Sequence, residues 1–171
     1  MNPTSLSEEL LPGNACFGCG PENPDGLRIR VFRDPESPDR LRGEFDPRAH
    51  MTGFPGITHG GALYTALDCM ATWSGMVLRE TRAMWLLRSA TMTYHRPALQ
   101  GRSISLTAMI EEEAGEWQAI RVRGEARNAD GELLAEGVFK VVPVPLEKFR
   151  ALTGVTDLPN GWARWLVDGP T

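Results

Sequence analysis

The chain has 171 residues, of which 42% are hydrophobic and 23% are charged, and its formal net charge is -4 at pH 7. This length and composition are typical of one globular domain, and they exclude a disordered or fibrous chain. The net charge is weakly negative, and no block of like charges is longer than the three glutamates at 111–113, which argues against a nucleic-acid partner.

The first fifteen residues, MNPTSLSEELLPGNA, are acidic and lack a basic head followed by an apolar core. They therefore predict neither a signal peptide nor a transit peptide. The most apolar run of the chain contains Asp68 and several glycines, so it is a poor bilayer span. We expect a cytoplasmic protein with no membrane partner. The three cysteines, an odd number, predict reduced thiols rather than a disulfide scaffold.

The first half of the chain predicts loops, two strands and one helix. Residues 1–26 are rich in Pro, Gly and Asn and predict a loop segment with one helical turn. Alternating apolar and polar residues predict strands at 27–32 and 41–45. Two prolines and two glycines within 46–58 predict an irregular loop. From Ala62 to Arg79 the run is rich in Ala, Leu and Met without alternation, which predicts a long helix, apolar on nearly every face, inside the molecule.

The second half predicts four more strands separated by turns. The strand-like runs are 84–97, 102–113, 116–127 and 132–144. Asp130-Gly131 is a good hairpin dipeptide, and we expect successive runs to pair antiparallel. The order of elements predicts an α+β architecture in which a curved antiparallel sheet wraps around one long central helix.

We divide the chain into an N-terminal loop segment, 1–26, a single domain, 27–144, and a C-terminal segment, 145–171. The C-terminal segment begins with a run that predicts a short helix. It ends in a tail with Trp162 and Trp165, which are too apolar for a free tail and are expected to dock on the domain or on a partner.

Asp68 is the only charged residue between His59 and Leu78. Burying a carboxylate is costly unless it is paired, hydrogen-bonded or protonated. A structural carboxylate that accepts hydrogen bonds from backbone or Thr donors would satisfy this requirement, and so would a functional group at a site. We favour the functional interpretation because of the motif that surrounds Asp68.

Three stretches carry a resemblance to a known family. The stretch GFPGITHGGALYTALD at 53–68 resembles the signature of the hotdog-fold acyl-CoA thioesterases of the hydroxybenzoyl-CoA and phenylacetate-degradation type. It has a Gly/Pro loop, then His-Gly-Gly, then a helix with an acidic residue nine positions after the His. The stretch ACFGCGPENPDGLRI at 15–29 resembles the opening of one thioesterase-like branch, and TMTYHRPA at 91–98 resembles the family's strand ending in Tyr-x-x-Pro. The resemblance covers roughly residues 15–143 and implies the hotdog fold.

Gly60 and Gly61 lie where the helix is predicted to begin. The first backbone N–H groups of a helix have no intrahelical acceptor, and the macrodipole favours negative charge there. Without a Cβ, a glycine also lets a ligand approach the backbone closely. These amides are therefore candidates for polarising a thioester carbonyl, and one such donor contributes about 3 to 4 kcal/mol in a transition state. Simple tight entry into the helix is the alternative role of the two glycines.

Asp68 is the candidate general base for a water molecule or the candidate nucleophile. Two helical turns span roughly 11 Å, so Asp68 and the glycine amides of one helix do not serve the same carbonyl. The resemblance implies that each site lies at a dimer interface, with the amides from one subunit and the acid from the other. We therefore expect a homodimer, or a dimer of dimers.

Further residues are candidates for positioning the substrate. His59 either orients the loop or bonds to the substrate, and His50 lies in the loop that lines the site in related sequences. Arg88, Arg96 and Arg102 could bind the phosphates of coenzyme A, because guanidinium suits bidentate phosphate contacts. For these histidines and arginines, an ordinary structural or surface role is the alternative.

One position departs from the family. Leu87 stands where several relatives carry a Ser or Thr that holds the attacking water. Ser89 and Thr91 are expected on the same side of the strand, because side chains alternate. Ser89 is therefore the candidate substitute for the missing hydroxyl. Otherwise the water is held differently, or the chain hydrolyses thioesters poorly.

Cys16 and Cys19 form a Cys-x-x-Cys pair, which is half of a zinc-ribbon spacing. No second pair follows, so a metal would need His50, His59 or Cys69. We expect a tight turn and no metal at this pair, and we interpret Cys69 as a core residue.

The resemblance and the motif indicate an acyl-CoA thioesterase. Asp68, Gly60, Gly61 and His59 are its predicted catalytic residues, and His50, Ser89, Arg88 and Arg96 contact its substrate. No cofactor is expected, since coenzyme A enters as part of the acyl-CoA substrate. Two alternatives stay open, an acyl-CoA hydratase or dehydratase of the same fold and a non-catalytic acyl-CoA binding protein.

Overall fold

The computed structural model describes residues 3–79, 81–112, 115–159 and 161–162. A six-stranded antiparallel sheet packs against one long helix, as the sequence predicts for an α+β protein. The elements are α1 (Leu6–Leu10), β1 (Arg30–Arg33), β2 (Arg40–Phe45), β3 (Thr52–Phe54), β4 (Ile57–Thr58), α2 (Gly60–Leu78), β5 (Met84–Tyr94), β6 (Ile104–Glu112), β7 (Ile120–Arg127), β8 (Leu133–Val144) and α3 (Leu146–Thr153). None of the described helices has the length and hydropathy that a bilayer crossing requires.

The strand order in the main sheet is β1-β2-β6-β7-β8-β5. The expectation that successive strands pair is therefore wrong for β5 and β6, which lie apart in the sheet. Residues 95–103 include a turn at 100–101, but they do not join β5 and β6 as a hairpin. Instead, the Thr58 N–H donates to the Ala98 carbonyl at 2.8 Å, and the Gln100 N–H donates to the Gly56 carbonyl at 3.0 Å. These bonds tie the connection to β4, so β5 becomes an edge strand beside β8.

Helix α2 contacts β2, β5, β6, β7 and β8. Its residues Leu67, Met70 and Trp73 are almost fully buried, together with Trp85 of β5 and Phe139 of β8. Apolar residues recur around α2 instead of along one stripe, so the helix can be covered on most sides. The prediction of a long interior helix is confirmed, and the helix begins two residues earlier than predicted.

The loop at 46–58 is more regular than its prolines and glycines predict. A 3-10 turn at Ala49–Met51 leads into the two-stranded hairpin β3–β4, in which Phe54 pairs with Ile57. Pro55 and Gly56 occupy the hairpin turn, where Gly56 has φ +77°. The residues expected to bar regular structure thus form the turn of a short hairpin.

The short helix expected after residue 145 is present as α3. Trp162 is half-buried, and its indole N–H donates to the Pro12 carbonyl at 3.0 Å. That contact agrees with the expectation that Trp162 docks. Trp165, also expected to dock, lies outside the described residues.

Candidate active site

His59 caps helix α2 with its own side chain. Its Nδ1 accepts the Gly61 N–H at 2.9 Å, while its backbone carbonyl accepts the Ala62 N–H at 2.9 Å. The Gly61 amide is therefore already engaged. The Gly60 N–H has no acceptor among the described residues. Of the two amides that the sequence singled out, the Gly60 amide is the one available to a ligand at the positive end of the helix.

Gly60 lies against the aromatic ring of Tyr94. The Tyr94 hydroxyl donates to the Gly60 carbonyl at 3.1 Å, and a Cβ at residue 60 would come within 3.3 Å of the ring. A Cβ at Gly61 would lie 2.8 Å from His59 Nδ1. A side chain at either position would thus disturb a neighbour. The His-Gly-Gly loop and the Tyr-x-x-Pro strand, which are far apart in sequence, meet at this point.

A cleft of about 310 Å³ opens at this end of α2. Thr58, Gly60, Leu63, Tyr94 and Arg96 are among the residues that line it. The Thr58 side chain is buried, at 3% exposure, and among the described residues its hydroxyl has no hydrogen-bond partner. A buried hydroxyl without a partner is costly. The cleft therefore combines a free helix amide, which can bind an oxygen atom of a ligand, with an unsatisfied hydroxyl that is buried in the cleft wall.

Asp68 lies on the least buried stripe of α2, which also includes Gly61, Thr65 and Thr72. Burial raises the pKa of Asp68 to about 6, negative charge at Cys16 adds to the rise, and the Thr72 side chain opposes it. The eight residues from Gly60 to Asp68 correspond to about 12 Å along a helix. Asp68 is not among the residues that line the cleft. One chain therefore does not bring the acid and the Gly60 amide to one carbonyl.

A β-bulge in β5 overturns the expectation for Ser89 and Thr91. Leu87 pairs with Val141 and Ser89 pairs with Lys140, so Arg88 is an extra residue in the strand. The extra residue reverses the alternation. Leu87 faces inward with the buried Val141, whereas Ser89 faces outward with the exposed Lys140. Ser89 and Thr91 are therefore not on the Leu87 side of the strand, and neither hydroxyl substitutes for one at Leu87.

The candidate phosphate-binding residues are dispersed. Arg96 lines the cleft and also a neighbouring cavity of about 540 Å³, which Arg102 lines too. The Arg96 side chain forms an ion pair with Glu132 at 3.3 Å. Arg88 is exposed at the bulge, and His50 is exposed in the 3-10 turn; neither lines these two cavities. Of the three predicted arginines, Arg96 is thus the one that lines the same cleft as Gly60.

Two residues of this region were missed in the sequence analysis. Thr58 directly precedes the His-Gly-Gly motif, but its burial without a partner depends on the β3–β4 hairpin. His95 lies within the TYHRP run, and its Nε2 is 3.0 Å from Glu136 Oε1. Because His95 lies within a family-like motif, the sequence alone is enough to make it a candidate. The carboxylate that faces it comes from β8 and could not be predicted in this way.

The three cysteines of the chain come together beside Asp68. The sulfurs of Cys16, Cys19 and Cys69 all lie within 4.8 Å of one another. Hydrogen bonds from the Cys19 and Cys69 thiols hold the pKa of Cys16 below its usual range. The same contacts with Cys16 raise the pKa values of Cys19 and Cys69. The expected tight turn is present, since the Gly20 N–H donates to the Cys16 carbonyl at 2.9 Å, and Cys69 is buried as expected.

No protein-family model and no curated protein sequence matches the chain. Solved structures do match it. Thioesterase HI1161 from Haemophilus influenzae superposes with a TM-score of 0.64 at 13% identity, over 74% of this chain and 85% of that one. The Escherichia coli PaaI protein from the phenylacetic acid degradation operon gives 0.59 at 16% identity, over 69% and 80%. The protein smu.793 from Streptococcus mutans, bound to acetyl-CoA, gives 0.56 at 11% identity, over 62% and 82%.

These similarities establish a common fold, while the identities are too low to transfer an activity. The six-stranded antiparallel sheet and the long helix α2 described above are the parts of this chain that make up that fold. The chain therefore has the hotdog fold that its motifs indicated.

Proposed function

We propose that the protein is an acyl-CoA thioesterase. The observation that carries the proposal is the cleft at the start of α2, where the free Gly60 amide lies beside the unpartnered Thr58 hydroxyl. The Gly60 amide is suited to bind the oxygen of a thioester carbonyl, and the proposed complex brings that oxygen to the Thr58 hydroxyl as well. The thioesterase fold of HI1161 and the acetyl-CoA bound to smu.793 support this choice of ligand.

In the proposed reaction the carbonyl oxygen accepts the Gly60 N–H, and the helix macrodipole stabilises the negative charge that develops on it. A water molecule gives its proton to Asp68 and adds to the carbonyl carbon. The carbon–sulfur bond then breaks, and the coenzyme A sulfur leaves with the proton that Asp68 took from the water. The products are a free acid and coenzyme A. Direct attack by Asp68 on the same carbon, followed by hydrolysis, is the second route by which this residue could act.

The separation of about 12 Å along α2 supports taking the acid and the amide from different subunits. Strand β5 offers a surface for such a partner, because it is an eleven-residue edge strand with Leu86 and Tyr94 exposed. A long edge strand is normally covered, because it presents unpaired backbone groups. We therefore propose a homodimer, alone or within a tetramer, with Asp68 of one subunit facing the cleft of the other. Its expected location is the cytoplasm.

Around this centre, we assign the phosphates of coenzyme A to Arg96 and Arg102, because both arginines line the adjoining cavity. His59 acts by holding the loop through Gly61 rather than by contacting the substrate. His50, Arg88 and Ser89 are peripheral to the cleft, and their predicted substrate contacts would require the partner subunit. The reaction needs no metal ion or prosthetic group.

One observation favours the non-catalytic alternative, an acyl-CoA binding protein. The bulge turns Ser89 away from the inner face, so the neighbouring hydroxyl that could replace the one missing at Leu87 is not available there. The hydratase alternative is less well supported, because His59 Nδ1 is engaged by the Gly61 amide and His59 is not among the residues that line the cleft.

Release of free coenzyme A from short-chain, long-chain and aryl acyl-CoAs tests the proposal. We expect wild-type turnover of at least one substrate and a loss of at least about 100-fold in Asp68→Asn, as for removal of a general base. The control is Asp157→Asn, since Asp157 is exposed and lies beyond α3. Acyl-CoA binding without turnover in the wild type would overturn the proposal in favour of a binding protein.

A further inference from the structure

The chain has three cysteines, and all three contribute to one cluster, although Cys69 is fifty residues from Cys19 in sequence. Their sulfurs lie within 4.8 Å of one another. Cys19 and Cys69 are buried, while Cys16 is exposed to solvent. Two segments, the loop after α1 and the middle of α2, thus bring three sulfur atoms close together.

The loop around the Cys-x-x-Cys pair is built for this arrangement. A Cβ at Gly20 would lie 2.3 Å from the Cys16 backbone nitrogen, so the turn requires glycine. A Cβ at Gly18 would lie 2.3 Å from the Cys69 sulfur. A larger residue at either position would push the loop away from α2. The two glycines therefore allow the Cys16–Cys19 turn to rest on Cys69.

Buried donors point at the cluster from the surrounding shell. The Trp73 indole N–H donates to the Cys19 sulfur at 3.3 Å. The Asn14 amide, which is buried and is held by Ser7 at 2.8 Å, lies 3.7 Å from the same sulfur. The Asn14 side-chain oxygen accepts the Cys16 N–H at 2.9 Å. Donors of this kind orient the ligands of a metal site and stabilise negative charge on sulfur.

A disulfide would use two of the three sulfurs and leave the third without a role. A metal ion uses all three. Thiolate ligands suit soft and borderline metals, Zn²⁺ among them, and three protein ligands around a tetrahedral zinc ion leave one position open. Within the described ranges no other His, Cys, Asp or Glu side chain joins the group. Because Cys16 is exposed, a water molecule can reach the fourth position.

We propose that Cys16, Cys19 and Cys69 bind one Zn²⁺ ion as thiolates, with a solvent molecule as the fourth ligand. Binding displaces the thiol protons and fastens the N-terminal loop to α2 beside Asp68. The ion takes no part in the proposed hydrolysis, so the inference does not depend on the protein being a thioesterase.

The test uses the full-length chain, purified under reducing conditions without chelator. Metal analysis by mass spectrometry is expected to give one zinc per chain, and X-ray absorption should give sulfur neighbours at about 2.3 Å. Replacement by Co²⁺ should produce sulfur-to-cobalt charge-transfer bands for three thiolates and the visible bands of a tetrahedral ion. Cys16→Ser is expected to weaken zinc binding at least tenfold with an unchanged circular dichroism spectrum, because Cys16 is exposed. Asp68→Asn, next to Cys69 but outside the cluster, should retain the zinc and the cobalt spectrum.

Three results would overturn the inference. One is a reduced, folded chain that takes up well under one zinc when Zn²⁺ is supplied. Another is bound zinc that is unaffected by Cys16→Ser. The third is a Cys16–Cys19 disulfide found by mass spectrometry in freshly purified protein. Each readout is independent of acyl-CoA turnover, so failure of the metal site and failure of the thioesterase proposal are separate outcomes.

Discussion

His59 Nδ1 accepts the backbone N–H of Gly61 at 2.9 Å, so the histidine of the His-Gly-Gly motif engages one of the two amides that the motif offers. The side chain acts as a cap for α2, with φ -60° and ψ 133° at His59. The Gly60 amide is left for a ligand. This hydrogen bond makes His59 a positioning residue, so replacing His59 is expected to lower turnover less than replacing Asp68.

His59→Ala is expected to lower the free energy of unfolding by about 1 kcal/mol, as loss of an N-cap does. Turnover should fall less than about tenfold, because the Gly60 amide and Asp68 remain. A tenfold fall corresponds to a loss of about 1.4 kcal/mol of transition-state stabilisation. Urea unfolding and coenzyme A release measure the two effects. His59→Asn, which keeps a capping oxygen, should restore most of the stability. A loss of turnover as complete as in Asp68→Asn would instead favour the hydratase alternative, in which histidine acts on the substrate.

Thr58→Val is expected to stabilise the protein while weakening substrate binding. The buried hydroxyl has no partner among the described residues, and removing such a group should raise the free energy of unfolding by about 1 kcal/mol. In the proposed complex the same hydroxyl binds the substrate, so KM should rise severalfold. Thr91→Val, on the exposed outer face of β5, is the matched control and should change neither quantity. Unchanged KM with raised stability would remove Thr58 from the site.

Mixing two inactive variants tests the shared site. Gly60→Val should block the cleft against Tyr94, and Asp68→Asn should remove the acid. If each site takes its amide from one subunit and its acid from the other, a mixed dimer regains one intact site. When equal amounts of the two variants are mixed, partially denatured and refolded, about half of the dimers should be mixed. Each mixed dimer has one intact site of two, so about one quarter of wild-type turnover should be recovered. Recovery no greater than that of the separately refolded variants would show that both groups act within one chain.

Glu8 should make α1 sensitive to acid. Its carboxylate accepts the Ser5 hydroxyl at 2.7 Å and the Ser5 N–H at 2.8 Å. These bonds lower the pKa of Glu8 from 4.5. A lowered pKa in the folded state means that the contribution is present above pH 4.5 and is lost as the pH falls through the folded pKa. Compared with Glu8→Gln, the wild type should be slightly more stable at pH 7, by less than about 1 kcal/mol, with no advantage at pH 3. Urea unfolding at the two pH values measures this, and a difference that is the same at both would contradict the role of the charge.

Much of the fold could be predicted from local patterns. The alternation at 41–45 and the continuous apolar run of α2 depend on neighbours in sequence, and both elements formed close to where they were predicted. The bulge at Arg88 could not be predicted, because it depends on the register of β5 against β8. That single extra residue decided that Ser89 faces outward and Leu87 faces inward.

For the site, the sequence by itself determined the motif, the isolated carboxylate at Asp68 and the glycines at the helix start, because these are local and their spacing follows helix geometry. Only the tertiary structure decided that His59 engages the Gly61 amide, that Thr58 is buried without a partner and that Cys69 joins Cys16 and Cys19. The physical reason is the same in each case. The hydrogen-bond partner, the residues that bury a side chain and the third sulfur each come from a segment that folding brings near. No local sequence pattern contains that segment.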